Sequence, residues 1–179
     1  MSDQILYGFD SSLTHFGYAV AVRRRTSLVS FQFVACGVWA TKPDADAETR
    51  TADLGARLQG IAGLLFQLVE HHGRPALLAC EALALPWGKT SMQTVSTLGR
   101  ARGLVDALAG QHRQQVHEVQ PAQLKRIVTG DQKASKQQVI AAMVARYPEL
   151  AALFAQLKAA NVEHAADAAA AIHAVTTTP

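Results

Sequence analysis

Two short apolar runs in this 179-residue chain, Ile5–Asp10 and Ala76–Glu81, each end in a carboxylate, and that pairing restricts the folds open to it. Between them, Gly17–Arg23 and Val29–Trp39 carry the small, branched and aromatic residues of strands. A turn at Ser11–His15 and a basic turn at Arg23–Ser27 join the first three segments into an antiparallel meander. After a loop at Lys42–Ala47, Leu54, Leu58, Ile61, Leu65 and Leu68 recur at helical spacing, so Glu48–His72 reads as an amphipathic helix that Gly73–Pro75 stops. If that helix returns the fourth strand beside the first, the two become parallel neighbours. Asp10 and Glu81 then sit at adjacent carboxyl ends, where open α/β sheets keep their ligand crevices.

Downstream, Leu85–Thr90 reads as a loop containing Pro86, Trp87 and Gly88, and Ser91–Ala109 as a helix. Val116–Val119 is a short fifth strand, and Pro121 stands at a first helical position. Helices are expected over Pro121–Val128, Ser135–Arg146 and Leu150–Ala159, with a last one starting near Glu163 and a frayed tail at Val175–Pro179. The order predicts one α/β domain over residues 1–179, with no linker or repeat. Its five-stranded mixed sheet has three antiparallel strands followed by two parallel ones, flanked by helices.

Composition removes other classes. Hydrophobic residues reach 49%, but 33 are alanines, so bulky core side chains are fewer than that figure suggests. With 17% charged residues and 18 Gly plus Pro (12 + 6), the chain is neither disordered nor of low complexity. Apolar runs break well short of a membrane span, and Asp10 comes too early for a secretory signal, so a soluble cytoplasmic protein is expected. Cys36 and Cys80 make no disulfide framework and read as core residues of apolar strands. Net charge is +3, yet Arg100–Arg146 holds eight Lys/Arg against three acids. That basic segment suits a polyanion or a solvated helical surface equally.

Two neighbouring carboxylates repel, so a purely structural role for Asp10 and Glu81 is costly unless a cation lies between them. In Glu163-His164-Ala165-Ala166-Asp167, residues 164 and 167 share a helix face among alanines. A helix-start acid stabilised by the macrodipole explains Glu163 well and Asp167 less well. His164 and His173 point to nearly opposite sides, and His71, His72, His112 and His117 read as surface residues. No Ser-His-Asp or Cys-His arrangement and no Gly-rich phosphate loop competes. Arg23-Arg24-Arg25 reads as a solvated turn. Arg100 and Arg102 could track a DNA strand or cap a dimer interface. Trp87, beside Lys89, could stack on a base or pack beneath its own loop.

In sequence order, Gly8-Phe9-Asp10-Ser11-Ser12 with Thr14-His15-Phe16-Gly17-Tyr18 resembles the first motif of the RuvC family of Holliday-junction resolvases. Cys80-Glu81-Ala82 resembles its second acidic strand, and Leu98-Gly99-Arg100-Ala101-Arg102-Gly103 the helix after it. Pro121-Ala122-Gln123-Leu124-Lys125 through Gly130, then Ala134-Ser135-Lys136-Gln137-Gln138-Val139, is similar to the paired-lysine segment. His164-Ala165-Ala166-Asp167-Ala168 resembles the terminal acidic motif. The resemblance implies a ribonuclease H-like fold, a homodimer, and endonuclease activity on four-way DNA junctions in recombination and repair. It implies two Mg²⁺ or Mn²⁺ ions per site, held by Asp10, Glu81, His164 and Asp167. Lys125 and Lys136 would act at the scissile phosphate; Trp87, Lys89, Arg100, Arg102 and Lys133 are candidate DNA contacts from their own charge, ring and position. A branch-migration complex is an implied partner, and no membrane is involved.

His164 stands where many members carry an acid, and Trp87 is the nearest aromatic where the family places a base-contacting one. Rivals are a ribonuclease H-like nuclease acting on structured RNA, and a junction-binding module without catalysis.

Overall fold

The computed structural model describes residues 3–24, 31–83 and 90–177. One five-stranded sheet is built from β1 (Gln4–Asp10), β2 (His15–Arg23), β3 (Phe31–Ala40), β4 (Pro75–Glu81) and β5 (Val116–Val119), in the order β3-β2-β1-β4-β5. β1, β2 and β3 pair antiparallel, whereas β1 with β4 and β4 with β5 pair parallel. The predicted mixed sheet is therefore present, and Phe9 pairs with Cys80, which sets Asp10 beside Glu81.

Side chains alternate across a sheet, so each strand serves two cores. On one face Tyr7, Phe9, Phe16, Val20 and Leu78 pack against α1 (Arg50–His72) and α2 (Met92–His112). The stripe predicted for α1 supplies Ile61, Leu65 and Leu68, all buried. Thr49 caps that helix by accepting from the Ala52 amide, and Gly73 ends it at a φ of 102°, a left-handed value that favours glycine.

On the other face lies α6 (Ala159–Thr177), joined by α3 (Pro121–Thr129), α4 (Lys136–Arg146) and α5 (Glu149–Phe154). Alanines 165, 166, 168, 169, 170, 171 and 174 of α6 are all buried. Opposite them stand glycines: a Cβ on Gly8 would overlap the Ala168 carbonyl, and one on Gly17 the His164 carbonyl. Helix and sheet thus meet backbone to backbone. The small residues are what allow that approach.

Three expectations are corrected here: the tail expected to fray from Val175 is helical to Thr177, the end of α6, and two helix bounds move. The helix predicted over Leu150–Ala159 is the short α5, ending at Phe154, and the last helix starts at Ala159 rather than near Glu163. Glu163 and Asp167 consequently lie beyond the first turn of α6, where the macrodipole no longer acts on them. Among the described residues, no helix is long and apolar enough to cross a membrane.

Candidate active site

The site forms where the carboxyl ends of β1 and β4 meet α6. Asp10 follows Leu6 and Gly8 on the α6 face of β1, and Glu81 follows Ala79 on the same face of β4. From α6, His164 lies over Gly17, the residue paired with Asp10. Its Nδ1 is 2.6 Å from Asp10 Oδ2, where the imidazole donates Nδ1–H to the carboxyl oxygen, and in its neutral form it keeps Nε2 as a lone pair. His15 shares the strand face of Gly17 and stacks on His164, with ring centroids 5.2 Å apart and planes 2° from parallel.

Charge and burial shift three of these groups. Burial first, then repulsion from Asp167 and Asp10, pushes the Glu81 carboxyl up to about 7. Burial and then Asp10 raise Asp167 to about 6. The hydrogen bond to Asp10 raises His164, against the opposing effect of burial. Lys136 and Lys125 oppose the rise at both carboxyls, so both ammonium groups lie within electrostatic reach. Ser135 and Gln138 close a reciprocal capping box at the start of α4 and fix Lys136 at its first helical position. Lys136 forms an ion pair with Glu163, a partner that the sequence did not suggest. Lys125 is half-buried on α3.

Other predicted residues fall elsewhere. Lys133 is exposed in the turn before α4. Arg100 is exposed on α2. Arg102, expected to contact DNA, is 7% exposed and is spent inside the protein. It pairs with Glu118 of β5 and lies 3.4 Å from Asp106, tying α2 to the sheet edge. Trp87 and Lys89 lie outside the described residues. Burial pushes the thiols of Cys36 and Cys80 up to about 12 and about 11, which suits the core role expected for them.

Among the described residues, no three His, Cys, Asp or Glu side chains stand close enough to hold a metal ion as they are. The donor chemistry nevertheless fits a hard divalent cation: three carboxylates and one imidazole converge where the carboxyl ends of β1 and β4 face α6. Two of those carboxyls are pushed up by burial and by one another. A cation would reverse that repulsion.

Residues 6–176 match the family model described as crossover junction endodeoxyribonuclease RuvC. The chain belongs to the RuvC family. It is similar to the crossover junction endodeoxyribonuclease RuvC of Rickettsia akari (strain Hartford), 28% identical over 136 residues, covering 76% of this chain and 78% of the relative. With the protein of the same description from Natranaerobius thermophilus it is 30% identical over 135 residues, 75% of each chain. Among solved structures, Thermus thermophilus RuvC in complex with Holliday junction substrate superimposes with a TM-score of 0.72 at 21% identity, over 96% of this chain and 92% of that one. At that identity the likeness carries the fold, which is ribonuclease H-like, while family membership rests on the sequence match. The protein is a RuvC-family nuclease, a hydrolase.

Proposed function

We propose that the chain resolves four-way DNA junctions by metal-dependent hydrolysis of phosphodiester bonds, acting as a homodimer. The observation that carries this reading is the meeting of Asp10, Glu81, His164 and Asp167, from two strands and one helix, at the carboxyl end of the sheet. Nucleases of this family depend on metal. Here Asp10, Glu81, His164 and Asp167 would hold the ions, two Mg²⁺ or Mn²⁺ per site. Bound metal supplies an activated water and neutralises charge on the reacting phosphate.

The chain's own groups do the rest. Neutral His164 offers Nε2 while Asp10 holds its Nδ1–H, and His15 fixes the ring plane by stacking. Lys125 and Lys136 place positive charge beside the carboxylates, where it holds phosphate oxygens and offsets the charge that grows in the transition state. Imidazole is a softer donor than carboxylate, so Mn²⁺ should support faster cleavage than Mg²⁺. Two symmetric nicks require two sites related by a two-fold axis, which a dimer provides.

The test is cleavage of a synthetic four-way junction beside linear duplex and an RNA hairpin, with Mg²⁺, Mn²⁺ or chelator. Paired nicks in the junction alone, lost on chelation, are expected. Preferential cutting of the hairpin would replace this reading with an RNA-processing one, and binding without cleavage would leave a junction-binding module.

A further inference from the structure

Beyond Asp10 the chain turns through Ser12 and Thr14 into a second concavity, on the α1/α2 side of the same end of the sheet. This cleft encloses about 460 Å³ and is lined by Ser12, Thr14, Arg50, Arg57, Thr94 and Arg100 among others. Three guanidinium groups thus meet there, and the acid among its lining residues, Asp53, is engaged by Arg57 at 3.5 Å. Arg57 also donates from Nε to Thr41 Oγ1 at 2.9 Å, yet its Nη2 is buried without a hydrogen-bond partner. Arg50 and Arg100 are exposed, and neither makes an ion pair among the described residues.

Arg50 and Arg100 keep their charge in water and free for an anion, and the unsatisfied Nη2 of Arg57 beneath them is a buried donor that costs free energy as it stands. Hydroxyls from Ser12, Thr14 and Thr94 add neutral donors on the same walls. That mixture of guanidinium and hydroxyl groups is what nucleic-acid backbones meet on proteins that hold them by phosphate rather than base. Ser12 belongs to both places: it is two residues from Asp10 and on the wall of the cleft.

We propose that this cleft is a second phosphodiester-binding site, which holds the DNA strand as it leaves the metal site across the Ser12–Thr14 turn. The proposal rests on the nuclease reading above for the identity of the strand. Arg50 and Arg100 are its exposed phosphate contacts, and Arg57 is the anchored group at its floor. It differs from the Lys125/Lys136 side of the site in holding substrate without touching the reacting phosphate. Its loss should therefore show as weaker affinity with a shallower salt dependence.

The experiment is fluorescence anisotropy of a labelled four-way junction and a linear duplex, without divalent metal, across a series of salt concentrations. Proteins are the wild type, Arg50→Ala/Arg100→Ala, Arg50→Lys/Arg100→Lys, and Arg24→Ala as an exposed control at the opposite end of the sheet. The double alanine variant should bind about tenfold more weakly or worse near 0.1 M salt, with the slope of log Kd against log salt falling by roughly two units, one per lost phosphate contact. The double lysine variant should keep most of the slope. Wild-type slope in the alanine variant, or an equal loss in Arg24→Ala, would overturn the cleft assignment. Failure of the wild type to prefer the junction over duplex would instead count against the resolvase reading, and a slope change on duplex alone would still locate the phosphate track.

Discussion

The two faces of the sheet are packed on opposite principles. Toward α1 and α2 the strands present Tyr7, Phe9, Phe16 and Leu78, and the helices answer with Ile61, Leu65, Val105 and Leu108. Toward α6 they present Gly8, Gly17, Ala19 and Ala79, and the helix answers almost entirely with alanine. The first face stores stability in bulky side chains. The second gives up buried volume for a short distance between helix and sheet, and that distance carries His164 and Asp167 to Asp10 and Glu81. The bulky core and the alanine-lined core that carries the site lie on two sides of the same strands, separated by the alternation of their residues.

The comparison breaks most forcefully at Leu78, fully buried on the bulky face. Leu78→Ala should cost about 2–5 kcal/mol of unfolding free energy while cleavage per folded molecule stays near normal. Urea unfolding beside junction cleavage at a temperature where the variant is folded would show this. On the α6 face, Gly17→Ala should cost less, about 1–3 kcal/mol, because one methyl must displace helix backbone at His164. Its cleavage per folded molecule should nonetheless fall at least about tenfold, as a misplaced reacting group does. Equal activity in the two variants would remove the distinction between the faces.

Titration sharpens the contrast further. Glu81 is raised from its ordinary value to about 7, so in metal-free protein it supports folding fully below about pH 4.5 and loses that support as pH rises through about 7. Glu81→Gln should therefore gain in urea midpoint over the wild type between pH 5 and pH 8. A constant difference across that range would contradict the burial and repulsion described. His173, buried against Tyr147 and lowered to about 4, acts in the reverse sense: its support is present above about pH 6.5 and is lost as pH falls toward 4. The smallest effect is expected at His15. His15→Phe keeps a ring on His164 and should keep the preference for Mn²⁺, whereas His15→Ala should lower Mn²⁺ affinity a fewfold with little loss of stability. Indistinguishable Mn²⁺ isotherms for the two variants would end that positioning role.

How far the sequence led depended on whether a residue's partner was local. The acid-ended strands and the α1 stripe are patterns within a few residues, and both appear as expected. The start of α6 is not legible in the sequence because alanine supports helix on either side of the break, and no Gly or Pro marks it. Arg102 read as a DNA contact because Glu118, its partner, belongs to a different strand. His15 has no local signal of its own beyond its parity with Gly17 and Ala19, which puts it on the α6 face. The Lys136–Glu163 pair links two separate helices and left no local trace.

The central claim is that α6 and the two strand ends form one metal site. Calorimetric titration of Mn²⁺ into the wild type, Asp10→Asn, Glu81→Gln and Asp167→Asn tests it most directly, with junction binding measured alongside. Each substitution should lower Mn²⁺ affinity by at least about a hundredfold and abolish cleavage, while junction binding persists or tightens as negative charge is removed. Wild-type Mn²⁺ affinity and cleavage in Asp167→Asn would contradict the account, because α6 would then have no place in the chemistry.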